Sequence, residues 1–358
     1  MKILNRFTYR IATLFFALSI LPNLMAQSDL VRVNDASFCT ANNQPYLLQG
    51  MQMWYAPRLA QRGAQGNRQR LNAELDSLKQ LGVNCLAVLP DQPIHGKDEL
   101  QGMDFLLNEL YKRNMKALVL IEANAEQTAL KTLETLVNRI NKVNKKSYKT
   151  DPTILSWHFT NLPKTDTSST LLAHLCQAAQ RLDGKHLVST QYDLHKELSV
   201  EEEGQVFQRV LSTEGLNFVS VTFMPACDGW VTESNLIDGL GMVYLRFDAL
   251  IDTFNRQATR IYKPYVALCG YPRDGMFTLP GSRTDARDAF FASVVSKLHT
   301  CISEGLSPFS GIIWYGWAGT ARPAADAWQA DDAYTAEPNI VTEKKGVYSI
   351  FDGEEIAY

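Results

Sequence analysis

The amino-acid sequence predicts an α/β protein, a (β/α)8 TIM barrel, on three observations. Short apolar runs rich in β-formers alternate with longer segments of helical period, the runs number eight, and no Pro/Gly/Ser-rich linker divides the chain. Such alternation builds a parallel sheet with crossover helices, and eight strands suit closure into a barrel better than an open sheet. The predicted strands are 47–51, 85–89, 117–121, 155–159, 186–190, 218–223, 265–268 and 311–314. Between them, Leu71, Leu75 and Leu78 form one apolar helical face that Gly82 terminates, and Leu133, Leu136, Val137 and Ile140 form another. A third runs over 289–298. These stripes face the core, whereas active sites of this architecture stand at the C-terminal ends of the strands.

The N-terminus carries Lys2, Arg6 and Arg10, then an apolar run over 11–25 and a small-residue site at Ala26. That is the pattern of a secretory signal peptide over 1–26, leaving 27–358 as a single barrel domain. The run is about three-quarters of the ~20 residues a membrane span needs and contains Pro22, so no membrane span is expected after cleavage. The expected location is secreted or periplasmic. Removing three positive charges takes the formal charge from -3 to about -6, which points away from a nucleic-acid partner. The six cysteines have neither zinc-site nor disulfide-scaffold spacing, so no metal is expected. Cys85 and Cys269 sit in apolar runs as small hydrophobes, and a Cys227 to Cys269 bridge is chemically allowed in an oxidising compartment.

Several blocks, in order, resemble one family. They are Gly50-Met51-Gln52-Met53-Trp54-Tyr55 with 70–84, Met103-Asp104-Phe105-Leu106-Leu107 with 112–116, and Val137-Asn138-Arg139-Ile140-Asn141 with 148–157. Gly270-Tyr271-Pro272-Arg273-Asp274-Gly275, Arg287-Asp288, Trp317 to Pro323 and Gly346 to Asp352 follow. Together they are similar to the β-mannanases of glycoside hydrolase family 5, which implies a barrel of the glycosidase superfamily type acting on β-linked mannan or a related glycan. No cofactor is implied, since this hydrolysis uses side chains and water.

A retaining glycosidase needs two carboxyl groups about 5 to 5.5 Å apart. The family's acid/base is the glutamate of an Asn-Glu-Pro triplet after the fourth strand; here the triplet is Asn161-Leu162-Pro163. Its nucleophile stands two residues before the glycine ending the seventh strand, and that position is Leu268. No carboxylate lies between Thr153 and Thr165 or between Ile261 and Arg273. The family's second-strand arginine corresponds to Ala87 and its sixth-strand histidine to Thr222, and the tryptophan-rich loop after the third strand is nearly absent. Losing the acid/base alone costs roughly 10²- to 10⁴-fold, and losing the nucleophile removes the covalent route.

The sequence therefore reads as a mannanase-like homologue with no catalytic pair at the family positions, kept for glycan binding. Trp314 is a candidate sugar platform, with Trp54 and Trp230 as weaker ones, because an aromatic face packs on the C-H face of a pyranose; each can also be read as a core aromatic. Asn161 reads as a hydroxyl partner or a strand-end cap. Asp91, Glu122 and Asp228 are carboxylates that could face the mouth and form a relocated catalytic pair. Arg322 reads as the partner of a loop carboxylate. A third reading, a protein-interaction scaffold, predicts Leu162 packed on Leu268 across the barrel top.

Overall fold

The computed structural model describes residues 30–63, 66–91, 100–163, 168–305, 307–329, 332–337, 344–354 and 356. The predicted leader lies outside the described residues. A hairpin of β1 (Arg32–Asn34) and β2 (Ser37–Cys39) precedes the barrel. The barrel strands are β3 (Leu48–Gln52), β4 (Cys85–Val88), β5 (Lys116–Glu122), β6 (Ile154–Thr160), β7 (Leu187–Asp193), β8 (Phe218–Phe223), β9 (Tyr265–Cys269) and β10 (Phe309–Trp314). They pair in parallel and close, with β10 between β9 and β3. A short parallel pair, β11 (Trp317–Gly319) and β12 (Ile350–Phe351), follows β10.

The helices are α1 (Ala56–Leu59), α2 (Arg68–Gln80), α3 (Gln101–Lys112), α4 (Glu126–Val137), α5 (Ser168–Leu182), α6 (Val200–Leu211), α7 (Leu240–Ile261) and α8 (Asp285–Ser303). Local chemistry sets several ends. Asn67 caps α2 by accepting from the Arg70 N–H at 2.9 Å, and Ser199 with Glu202 forms a capping box on α6. Asp274 accepts the Asp285 and Ala286 N–H groups, both at 3.0 Å, at the start of α8. Among the described residues no helix is long and apolar enough to cross a membrane.

Each predicted run holds a barrel strand, but β5, β6 and β7 run one to three residues further toward the mouth than apolarity alone suggests. Pairing of Glu122 with Thr160 and of Asp193 with Thr222 carries the ladders past the hydrophobic segment. Those polar residues form the rim. The barrel has two cores, one between strands and helices and one inside, built from Leu48, Leu118, Leu155, Phe218, Val266, Leu268 and Ile313 among others, and a small third cluster of Ala318, Ala321, Trp328 and Phe351 lies beside β11 and β12. Phe38 of β2 meets Phe218 at the start of β8 edge-on at 5.0 Å and plugs the end opposite the mouth.

Buried polar networks tie the loops to this frame. Glu74 accepts from Arg70 Nε at 2.7 Å, Tyr55 Oη at 3.1 Å and the Thr320 N–H at 3.0 Å, and a Cβ at Gly319, whose φ is +56°, would lie 2.4 Å from the Glu74 carboxyl. Asp104 accepts from Arg139 and Tyr148 at 2.6 to 2.8 Å. Glu354 receives Arg273 at 2.6 Å and Arg287 at 2.8 Å, two guanidiniums buried in the fold. Arg322 departs from its expectation: it donates to the Gly319 and Ala321 carbonyls and lies over the Phe351 ring. All six cysteines are thiols; Cys269 is buried, and exposed Cys227 meets Tyr348 Oη at 3.2 Å, so the Cys227 to Cys269 bridge is not formed.

Barrel closure leaves no room for a side chain at Gly311, where a Cβ would sit 2.3 Å from the Leu48 carbonyl oxygen of β3. Gly311→Ala is expected to part this seam and destabilise the protein by roughly 1–3 kcal/mol, as overpacking does. Urea unfolding monitored by tryptophan fluorescence measures the loss, and an unchanged midpoint would contradict the seam geometry.

Candidate functional site

Along β6, Ser156, His158 and Thr160 turn into the barrel while Trp157 and Phe159 turn out against the helices. His158 is buried inside the barrel, one inward position before Thr160 of the mouth. Its Nδ1 lies 2.7 Å from Ser189 Oγ and its Nε2 3.1 Å from Ser220 Oγ, and Ser189 in turn meets Ser156 Oγ at 2.6 Å. Burial pushes the imidazole down to about 3, so it is neutral and fastens β6, β7 and β8.

At the C-terminal ends of the strands opens a cleft of about 300 Å³. Gln52 of β3, Glu122 of β5, Asn161 after β6, Gln191 of β7, Thr222 of β8, Leu268 of β9 and Tyr315 after β10 all line it. Polar amides and hydroxyls thus face an aromatic ring across an apolar base. Thr222 Oγ1 is buried and finds no partner among the described residues. An unpaired buried hydroxyl costs about 1–3 kcal/mol, which a ligand hydroxyl would relieve.

The sequence-predicted residues divide. Leu268 lines the cleft and packs with the barrel interior, 7% exposed. Leu162 does not line it. Asn161 adopts a left-handed φ of 56°, which turns the chain so that Asn161 takes the mouth position. Leu162 is directed instead into a separate small cavity with Pro163, Leu172 and Tyr192. The two leucines therefore do not pack together across the barrel top.

Asn161 Nδ2 donates to Glu122 Oε1 at 3.4 Å, and Glu122 is the one carboxylate among the described residues lining the cleft. Asp91 is not in the mouth: it pairs with Arg58 at 2.9 Å and accepts from Gln61 at 3.2 Å, beside a cavity on the flank of α4. Asp228 lies in an adjoining cleft of about 390 Å³ that shares Thr222 and Met224 with the first and is also lined by Asp193.

The aromatics rearrange more. Trp314 is fully buried and stacks on Phe291 of α8 at 4.1 Å, so it is a core residue on the outer face of β10. Trp230 packs edge-on against Phe223 at 6.4 Å under the Arg246 guanidinium, away from either cleft. Trp54 does line the cleft, but it is 5% exposed, with Nε1 donating to the Thr335 carbonyl at 2.9 Å and Tyr334 against it. The other aromatic that lines the cleft is Tyr315. Strand alternation holds the signal for it, since Ile313 faces the barrel interior and residue 315 must face the same way. An all-apolar run conceals which parity is inward. Gln52, Gln191 and Asp193 were missed for the related reason that polar strand ends carry no hydrophobic pattern.

Asp228 has unusual electrostatics. Burial pushes its carboxyl up to about 7; the Met224 N–H it accepts at 2.8 Å pulls the other way, the Asp193 charge raises it further, and Lys196 and Arg246 lower it. Among the described residues no His, Cys, Asp and Glu side chains group as a metal site.

A closed parallel barrel with a polar, aromatic-edged cleft at its C-terminal strand ends is the architecture of the barrel glycosidases. A profile described as GH family 5 beta-mannosidase-like matches residues 28–129 and 120–357. The chain belongs to this family. Among solved structures, the glycoside hydrolase family 5 mannosidase from Rhizomucor miehei superposes with a TM-score of 0.77 at 20% identity, over 92% of this chain and 95% of that one. A Glu-to-Ala mutant of that mannosidase in complex with mannosyl-fructose gives 0.75 at 20% identity, over 91% and 94%. The endo-beta-1,4-mannanase from Thermotoga petrophila gives 0.62 at 14% identity, over 88% and 75%. No curated protein sequence matches the chain.

Because the Asp228 carboxyl is raised in the fold above the ~3.9 of an unfolded aspartate, its contribution to stability is full below about pH 4 and lost as pH rises through about 7. Asp228→Asn stays neutral and is expected to flatten this slope, so its stability relative to wild type rises between pH 4 and 8. Denaturant titrations of both proteins across that range measure it; parallel curves would show that Asp228 ionises normally.

Proposed function

We propose that this family 5 protein is a secreted or periplasmic β-mannan-type glycan-binding protein that has lost hydrolysis. The observation that carries this reading is the composition of the mouth. Leu268 occupies the position that family resemblance assigns to the nucleophile, and Glu122 alone supplies a carboxylate to the cleft among its described lining residues. A retaining mechanism requires two. The side chain at 162 is both apolar and aimed elsewhere, so the acid/base position offers no proton. What remains suits binding: the Tyr315 ring for a pyranose face, and Gln52, Asn161, Gln191 and Thr222 for hydroxyls. A mannosyl-fructose complex of a structural relative makes mannose-containing oligosaccharides the first ligands to test.

One observation favours a second reading, an active glycosidase with relocated carboxylates. Asp228 keeps its proton near neutrality, as a general acid must, and its cleft adjoins the one holding Glu122. The scaffold reading lacks the packed leucines it predicts.

The deciding experiment is a single-turnover assay with protein in excess over end-labelled manno-oligosaccharides, followed for hours by mass spectrometry, alongside calorimetric titration with the same sugars and a panel of other β-glycans. Saturable binding without cleavage is expected, with Tyr315→Ala weakening it roughly tenfold. Cleavage that disappears in Glu122→Gln or Asp228→Asn would replace the binding reading with the relocated-pair enzyme. Neither binding nor cleavage across the panel would sink both.

A further inference from the structure

At the end of the barrel opposite the mouth, the chain makes a tight hairpin before β6. Ile140 and Ser147 form an antiparallel bridge, the Tyr148 N–H donates to the Arg139 carbonyl at 2.9 Å, and the Asn141 N–H donates to the Lys146 carbonyl at 2.8 Å. Residues 139–149 hold five basic residues and no acidic one, in a chain whose formal charge is -3 overall. The hairpin is rigidly built. Asn141 is fully buried, donates to the Asp104 carbonyl at 2.9 Å and caps the Val143 and Asn144 N–H groups. Asp104, also fully buried, takes Arg139, Tyr148 and the Lys142 N–H.

That inner network uses the charge of Arg139. The outer surface keeps Lys142, Lys145 and Lys149 exposed, with Lys146 lying over the Tyr111 ring at 3.6 Å. Two aliphatic side chains of the hairpin have no place in the core: Ile140, expected on the core face of a helix, lies beyond the end of α4 and is 62% exposed, and Val143 is 45% exposed. Lysines alone would be an ordinary solvated face. Lysines flanking projecting aliphatics on a preformed loop match an anionic bilayer surface, where ammonium groups meet lipid phosphates and the aliphatics enter the acyl boundary. A soluble polyanion would use the charges and leave Ile140 and Val143 in water.

We propose that the 139–149 hairpin is a peripheral docking surface for anionic membrane lipid, which holds the barrel with its mouth facing away from the bilayer. The inference is independent of whether the mouth binds or cleaves glycans. Preorganisation matters here, because a hairpin already ordered by Asp104 and Asn141 loses little conformational freedom on docking.

The test is co-sedimentation of the chain beginning at Gln27, which retains the whole described barrel, with phosphatidylglycerol/phosphatidylcholine vesicles and with phosphatidylcholine vesicles alone. Binding to the anionic vesicles that weakens with salt is expected. The triple variant Lys142→Gln, Lys145→Asn, Lys149→Gln should lower it on the order of a hundredfold, at about fivefold per lysine. Ile140→Ser with Val143→Ser should lower it roughly tenfold while leaving the salt dependence unchanged. Both variants alter exposed side chains, and a wild-type melting curve confirms that each remains folded. Absence of binding to anionic vesicles, equal binding to neutral ones, or binding insensitive to the Ile140/Val143 change and displaced by soluble polyphosphate would overturn the proposal.

Discussion

The constraint on which the rest of this structure depends is closure of the eight strands into one barrel. Closure fixes which residues face in. Once β10 pairs with both β9 and β3, every strand must keep its parity, because a slip of one residue would turn its core face to the wrong side. At the seam the backbones approach so closely that Gly311 has no space for a Cβ. Parity then sends Trp157 and Trp314 into the helix layer and His158, Thr222 and Leu268 into the lumen. The contents of the mouth are thus a consequence of closure before they are a consequence of chemistry.

Within that frame a single backbone conformation decides the character of the fourth strand end. Continued alternation from Thr160 would aim residue 162 at the mouth. Asn161, at a φ of 56°, breaks the alternation and takes the place itself. Asparagine tolerates this region because its short polar side chain suits the left-handed conformation. On the other wall, Leu268 joins the apolar interior, so the base of the cleft has dispersion contacts where a carboxylate would have needed desolvation. Asp228 illustrates the cost avoided: a carboxyl in a comparable setting, beside Asp193, is pushed up to about 7.

Hydrophobic period made the eight strands and three of the helices, α2, α4 and α8, legible in the sequence, since both depend on which residues are apolar. The rim depends on something else. Glu122 could be named from the sequence as a mouth carboxylate, but Thr160, Gln191 and Asp193 extend their strands through ladder hydrogen bonds that any residue can make, so composition gave no sign of them. Trp314 and Tyr315 are adjacent aromatics at the end of a strand whose last four residues are apolar, and only the parity set by closure distinguishes core from cleft. Asp91 faces a flank because Arg58 and Gln61 of the first loop capture it, a contact 30 or more residues apart in sequence. The absence of a carboxylate from the key positions was legible directly, because it required reading identities and no geometry.

The same geometry explains why a chain can keep its family's sequence blocks while, among the described residues, Glu122 alone brings a carboxylate to the mouth. Arg70 and Glu74 belong to the first block, Asp104 to the second, Arg139 and Tyr148 to the third, and Arg273, Asp274 and Arg287 to those near the end. In the structure these residues are the members of the buried polar networks that fix the loops and the start of α8. None of them lines the cleft. Removing one partner of a buried ion pair leaves an uncompensated charge and costs roughly 3–5 kcal/mol, a large share of the 5–15 kcal/mol that keeps a domain folded. Folding alone therefore accounts for these members of the blocks, whatever becomes of the reaction, whereas Gln52 and Trp54 of the first block line the cleft. Replacing a mouth carboxylate by leucine removes a desolvated charge and adds apolar packing, so stability offers no resistance there. Retained motifs in this chain testify to the barrel, and only the residues at the strand ends testify to the chemistry.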